Sequence, residues 1–224
     1  MLKRNNISLN PYFYLPLIVW MVAGGTLYQM YGKEFMFRAI NGHYTDLMDT
    51  IMYYTTWMGE AYVIIPALLL LMLIPRLRRW EYFAVAAVVN IVPMLVQQGM
   101  KSYFQHPRPL NLYSTAPWLH RLPHWPELYA RSFPSGHSEG AFSFFCFITM
   151  LLLPRYRPLG LLFFALALGV CYSRVYLAAH FFEDVYAGSI IGAVVSTLCC
   201  ILMGPLFKRL INDERSTAPS HNGR

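Results

Sequence analysis

Six apolar runs, separated by polar segments, dominate the 224-residue sequence. They cover residues 14–31, 61–74, 82–97, 141–153, 159–172 and 185–207. A helix needs about 20 residues to cross a bilayer, so the first, third and sixth runs are long enough or nearly so. Each of the other three can extend at one end into moderately polar sequence that faces a protein interior or a wet cavity. The pattern predicts an all-α, polytopic membrane protein with six transmembrane helices; the alternative is four spans with two buried helices.

The polar segments between the runs add two further expectations. In the first outward loop, the side chains that repeat at helical spacing are Leu47, Met48, Ile51, Met52 and Thr55; Asp46 precedes them, and Asp49 and Tyr53 lie between them. This pattern is typical of an amphipathic helix lying at the membrane interface. The tail, residues 212–224, is polar and lacks periodicity. We therefore expect one six-span domain over residues 1–211, followed by a disordered cytoplasmic tail.

The charge pattern supports membrane insertion and sets an orientation. Charged residues make up 13% of the chain, whereas soluble domains carry about 25%. In the six-span arrangement, eleven of the eighteen Lys and Arg residues fall on the side that holds both termini. That side is expected to be cytoplasmic. The net charge of +7 is therefore explained without a nucleic-acid partner. The absence of eukaryotic sorting signals from the sequence favours a bacterial cytoplasmic (inner) membrane as the location.

Three polar clusters fall on the outward side: "KSYFQHPRP" (101–109), "PSGH" (134–137) and "SRVYLAAHFFED" (173–184). Lys101, Arg108 and Arg174 each come at or just past the end of a span. Like charges about 4 Å apart repel by about 4 kcal/mol at an effective dielectric near 20, so converging cations need an anion between them. A phosphate group fits, because Arg forks bind its oxygens in pairs. For any one of these cations alone, snorkelling at the interface is the alternative.

The "PSGH" cluster has the properties of an anion-binding helix start. Ser135 is a good N-cap, and Gly136 lets a backbone approach a ligand closely. The first N–H groups of the following helix would then face an anion. His137 stands one residue further in, where it could give a proton to a leaving group. The alternative is a capped helix start with an incidental histidine.

His180 and Asp184 are four residues apart and share one face of a helix. A carboxylate bonded to one imidazole nitrogen fixes the tautomer and leaves the other nitrogen free to attack. A purely structural pair and a pair of metal ligands are the alternatives. Three nearby cations and the lack of further ligands disfavour the metal.

The three clusters together resemble the signature of the type 2 phosphatidic acid phosphatase superfamily, which contains membrane lipid phosphatases and soluble vanadium haloperoxidases. The matching motifs are Lys-x6-Arg-Pro, Pro-Ser-Gly-His and Ser-Arg-x5-His-x3-Asp. The resemblance implies that His180 attacks phosphorus to form a phosphohistidine, that Asp184 orients it and that His137 protonates the leaving oxygen. It also implies that no metal or cofactor is used and that the phosphoryl oxygens bind to Lys101, Arg108, Ser135, Gly136 and Arg174.

The expected activity is that of a lipid phosphatase acting at the outer face of the membrane. Candidate substrates are phosphatidic acid, phosphatidylglycerol phosphate, a prenyl diphosphate and the phosphates of lipid A. A lipid phosphotransferase that uses the same site is the main alternative, and an anion transporter or a haloperoxidase is a weaker one. The segment 110–133 matches no signature and is expected to help recognise the lipid headgroup. The identity of the lipid therefore stays open, and so does the oligomeric state. His106, His120 and His124 are interpreted as loop or interfacial residues.

Overall fold

The computed structural model describes residues 9–211, and within that range the chain is helical with no β-strand. This confirms the predicted all-α class, while the predicted disordered tail lies outside the described residues. The helices are α1 (Pro11–Asn41), α2 (Asp46–Thr55), α3 (Ala61–Leu71), α4 (Trp80–Phe104), α5 (Pro109–Tyr113), α6 (Gly136–Leu151), α7 (Leu159–Tyr176), α8 (Phe182–Leu202) and α9 (Gly204–Ile211).

Four stretches of the described chain are long and apolar enough to cross a membrane: α1, α4 with α5, α7 and α8. A fifth candidate is a bent one, in which α2 and the 3₁₀ turn Thr56–Gly59 meet α3 at 60°. α6 has only 16 residues. Six spans therefore remain a prediction, as does the interfacial position of α2, although a helix does form at 46–55 as its spacing predicted.

One of the predicted boundaries is wrong. The run 185–207 is not one helix, because α8 ends at Leu202 and α9 begins at Gly204. Met203 leaves the helical conformation, and α9 begins anew at Gly204 with Pro205 as its second residue, a position where the N–H that proline lacks has no partner within the helix. At the other end of the chain, the predicted end of the first run at residue 31 agrees with a break in α1 at Gly32, whose backbone is not helical (φ 72°, ψ 177°), and a second helical segment follows it as far as Asn41. Much of the predicted first outward loop is therefore helical.

α6 lies at the centre of the bundle and packs against α4, α7 and α8. Most of its side chains are buried, including Phe142 and Phe147. At Gly192 of α8 an added Cβ would lie 2.3 Å from the carbonyl oxygen of Glu139, so only glycine permits this close approach of the two helices. As a result, the polar first turn of α6 lies inside the protein, at the end of the bundle where α4 and α7 end and α8 begins.

Candidate active site

His180 lies at the centre of the candidate site, in the non-helical segment between α7 and α8, and is 1% exposed. Its Nδ1 is 3.4 Å from Oδ2 of Asp184, and its Nε2 is 3.3 Å from Nη1 of Arg108. A guanidinium group can only donate hydrogen bonds, so Nε2 accepts and Nδ1 carries the proton. His180 is thus held as the neutral tautomer whose Nε2 lone pair points towards the cations.

Asp184 is fixed by groups on both sides of the site. Its Oδ2 accepts a hydrogen bond from the backbone N–H of Phe181 at 2.9 Å, which caps the first turn of α8. The hydroxyl of Ser132 donates to the same oxygen and also lies 3.4 Å from Nδ1 of His180. Ser132 was not predicted as a site residue. The available signal was its position in "RSFPSGH", three residues before Ser135.

The surroundings of His180 disfavour its protonated form. Burial lowers the pKa of His180 well below its ordinary value, and the positive charges of Arg108, Arg174 and Lys101 lower this pKa further. The unperturbed pKa of histidine is about 6.5, so the imidazole is neutral at neutral pH. A neutral imidazole with an available lone pair is the form that can act as a nucleophile.

Two arginines are buried beside His180. Arg108 is 8% exposed and donates from Nε to Ala130 O and from Nη1 to Ala179 O, both at 2.8 Å. Arg174 is 3% exposed, and its Nη1 donates to Oγ1 of Thr56 at 2.9 Å. Nε of Arg174 is buried without a hydrogen-bond partner in the described part of the chain.

The nearby acids act on these arginines without direct contact, Asp184 on Arg108 and Glu60 on Arg174. Between residues 9 and 211, neither Arg108 nor Arg174 forms an ion pair with a carboxylate. Lys101, in the last turn of α4, adds a third positive charge close enough to interact with both. A buried charge is costly unless it is paired, so the site is built to receive an anion.

The start of α6 is joined to the start of α8. Ser135 caps α6, with its Oγ accepting from Ser138 N at 3.4 Å, and its own N–H donates to the carbonyl of Asp184 at 3.0 Å. Nε2 of Gln97 on α4 holds the carbonyl of Pro134 at 2.7 Å. Gly136 begins α6, and a Cβ added there would meet Gln97 no closer than 3.6 Å, so packing alone does not require glycine.

His137, the second residue of α6, contacts a group that the sequence did not single out. Its Nε2 is 2.6 Å from Oε1 of Glu60, which lies between the 3₁₀ turn and α3. Among the other histidines, His120 bonds through Nε2 to Asp49 at 2.8 Å and ties the 110–133 segment to α2.

The eight predicted site residues thus gather around the start of α6 and the segment before α8. His180, Asp184 and Arg108 are in direct contact, and Ser135 bonds to the backbone of Asp184. The charges of Lys101, Arg174 and His137 act on His180. Within residues 9–211, no three His, Cys, Asp or Glu side chains are grouped so as to hold a metal ion. The individual catalytic roles remain predictions.

Residues 78–208 match the family model of the PAP2 superfamily, which is more than half of the chain. The chain belongs to the PAP2 superfamily. With its four helices long enough to span a bilayer, it is an integral membrane protein.

Its relatives are phosphatases, which places this PAP2 protein among the hydrolases. It is 29% identical to an undecaprenyl-diphosphatase of Sulfolobus acidocaldarius over 168 residues, 73% of this chain and 74% of that protein. It is 44% identical to a lipid A 1-phosphatase of Rhizobium johnstonii over 80 residues, 34% of this chain and 31% of that protein. The crystal structure of Aquifex aeolicus LpxE is similar, with a TM-score of 0.62 and 25% identity over 75% of this chain and 94% of that chain.

Proposed function

We propose that this PAP2 protein is a lipid phosphatase of the bacterial cytoplasmic membrane, whose outward-facing site removes a terminal phosphate through a phosphohistidine on His180. The observation that carries the proposal is a pair of buried guanidinium groups, without ion-pair partners among residues 9–211, beside a neutral imidazole. The guanidinium groups favour an anion with several oxygens, and the imidazole supplies a nucleophile within reach of it.

In the first step, the lone pair on Nε2 of His180 forms a bond to phosphorus while the bond from phosphorus to the lipid oxygen breaks. The leaving oxygen takes a proton from His137. Asp184 stabilises the positive charge that develops on the imidazole. Arg108, Arg174 and Lys101 neutralise the phosphoryl oxygens, which is the main contribution a protein makes to phosphoryl transfer.

In the second step, water replaces the histidine. The water oxygen bonds to phosphorus and gives a proton to His137, while the N–P bond breaks and its electron pair returns to Nε2 of His180. Inorganic phosphate leaves, and both imidazoles return to their starting protonation states. The cycle consumes one water and needs no other reactant.

Among the four candidate lipid classes, a prenyl diphosphate is the first choice. The similarity to the undecaprenyl-diphosphatase extends over about three quarters of both chains, whereas that to the lipid A 1-phosphatase extends over about a third of each. A diphosphate also brings more negative charge than a phosphate monoester to a site with three cations. Its product would be a prenyl monophosphate.

The test is phosphate release by purified protein in detergent micelles from each of the four lipids. Wild type should release phosphate, fastest from the prenyl diphosphate, and His180→Ala should lose about 10³-fold or more of the rate. His43→Ala is the matched control, because His43 is exposed just after α1 and its Nδ1 contacts the carbonyl of Ala39 in the last turn of that helix. An alkaline quench during turnover should trap phosphate on residue 180.

Three results would overturn the proposal. One is no phosphate release from any of the four lipids, and another is a His180→Ala protein as active as wild type. The third is phosphate that appears on a second lipid and not in solution, which would identify a phosphotransferase.

A further inference from the structure

The turn between α2 and α3 reaches into the candidate site from outside the matched region, which begins only at residue 78. This turn packs most closely against α6 at Gly59. A Cβ added there would lie 2.5 Å from the carbonyl oxygen of His137 and 2.9 Å from Cγ1 of Val170. Only glycine allows this approach, so the residues on either side of Gly59 are held beside the first turn of α6.

Two side chains next to Gly59 contact site residues. Oγ1 of Thr56 accepts a hydrogen bond from Nη1 of Arg174 at 2.9 Å, and both residues are buried. Oε1 of Glu60 lies 2.6 Å from Nε2 of His137, and the two side chains are 36% and 21% exposed. The turn therefore holds one phosphate-binding arginine and the residue expected to act as the acid.

The charges that face His137 explain why a carboxylate matters there. Arg174 of α7, Lys101 of α4 and His180 before α8 are all basic groups close enough to act on it. Burial opposes a positive charge on the His137 imidazole most strongly, and each of these basic groups opposes it further. Glu60, at the start of α3, is the carboxylate in contact with His137, and a negative charge at this distance favours the imidazolium form.

We infer that Glu60 is a positioning residue for His137: the Glu60 carboxylate orients the imidazole through Nε2 and favours its protonated form, which transfers the proton to the leaving oxygen. No hydrogen bond to Nδ1 of His137 occurs in the described part of the chain, so that atom is available to the substrate. The arrangement parallels that of His180, where Asp184 holds one nitrogen and leaves the other to react. The inference rests on the proposed phosphatase function.

The inference makes a prediction that depends on the leaving group. A lipid oxygen leaves poorly without a proton, whereas the oxygen of 4-nitrophenyl phosphate leaves well as the anion. Glu60→Gln should therefore lower kcat/KM for the lipid by about 10- to 100-fold, which is part of the usual contribution of a general acid. It should lower kcat/KM for 4-nitrophenyl phosphate by less than about threefold, since little acid catalysis is needed there.

Two further kinetic readouts separate positioning from plain structural support. With the lipid, Glu60→Gln should move the basic limb of the kcat/KM profile to lower pH, because His137 then loses its proton more easily. In the His137→Asn background, Glu60→Gln should cause little further loss, since the two residues act as one unit. Glu34→Gln is the control: Glu34 is exposed, pairs with Arg38 on the same helix and should leave all rates unchanged.

A measurement without turnover keeps this inference separate from the proposed function. In His180→Ala protein, the NMR titration of the His137 ring should shift to lower pH by about one unit or more when Glu60 is replaced by Gln. An unchanged titration would overturn the inference, as would equal losses on both substrates with an unmoved pH profile. If wild type releases no phosphate while the titration shifts as expected, the phosphatase proposal fails and the Glu60–His137 pair stands.

Discussion

Replacing Asp184 by Asn tests the role of charge at the nucleophile without changing the shape of the site. The hydrogen bonds from Phe181 N and the Ser132 hydroxyl and the contact with Nδ1 of His180 all converge on Oδ2. Oδ1 is buried and has no partner among the described residues. An asparagine can therefore place its amide oxygen where Oδ2 lies and keep all three contacts. What the variant loses is the negative charge.

The size of the effect follows from the distance between the two groups. When Nε2 of His180 bonds to phosphorus, the imidazole becomes positive, and Nδ1 lies 3.4 Å from Oδ2 of Asp184. Unit charges at that separation attract by about 5 kcal/mol at an effective dielectric near 20. In a loose transition state only part of the charge has developed, so about half of this energy applies. We expect kcat/KM to fall by about 10²-fold, since 1.36 kcal/mol corresponds to tenfold.

The assay is phosphate release from the preferred lipid, with the phosphohistidine trapped by alkaline quench. Asp184→Asn should show both the slower release and less trapped intermediate. Its thermal unfolding should change little, because the amide NH2 left without an acceptor is offset by the removal of a buried charge. Asp46→Asn, on the exposed first turn of α2, is the matched control. A kcat/KM for Asp184→Asn within threefold of wild type would refute the reasoning.

Three further predictions concern pH, metal and the second arginine. Because the pKa of His180 is lowered, its neutral form persists as the pH falls. The acid limb of the kcat/KM profile due to His180 should therefore lie below about pH 6.5. An acid limb above that pH, after correction for ionisation of the substrate, would contradict this prediction. Phosphate release should continue in excess chelator, and a loss reversed by adding a divalent metal would disprove the metal-free mechanism. Thr56→Val removes the acceptor for Arg174 and should reduce kcat/KM by about 10- to 100-fold, since hydrogen bonds to charged groups contribute about 1.5–3 kcal/mol. Thr26→Val, which removes an exposed hydroxyl that donates to the carbonyl of Val22 in the same helix, should be neutral.

Local signals predicted most of the helices. α6 begins at Gly136, as the serine cap before it indicated, because capping is decided by a few neighbouring residues. The error arose where apolar composition hid a local break. The break at Met203 divides the run 185–207, although both sides of it are apolar. At the other end of the chain, the first run ends where Gly32 breaks α1, and the helical residues beyond it lie in sequence too polar to be assigned to a span.

The candidate site likewise contains residues that the sequence revealed and residues that it did not. Lys101, Arg108, His137, His180 and Asp184 belong to motifs whose spacing along the chain is visible in the sequence. Ser132, Thr56 and Glu60 form part of the same site but belong to none of the recognised motifs. Their contacts join residues 48 to 118 positions apart. No periodicity or spacing rule reaches across such separations.

The sequence by itself determined the helical class, the apolar stretches and the order of the phosphate-binding and histidine motifs, because these depend on composition and on neighbours within a turn or two. Only the tertiary structure decided which nitrogen of His180 faces Arg108, that two arginines are buried with no carboxylate partner in the described part of the chain, and that Glu60 contacts His137. The physical reason is that hydrogen bonds and burial depend on distances in space. Those distances are set by the close packing of α6 against its neighbours and by the approach of Gly59 to the His137 carbonyl.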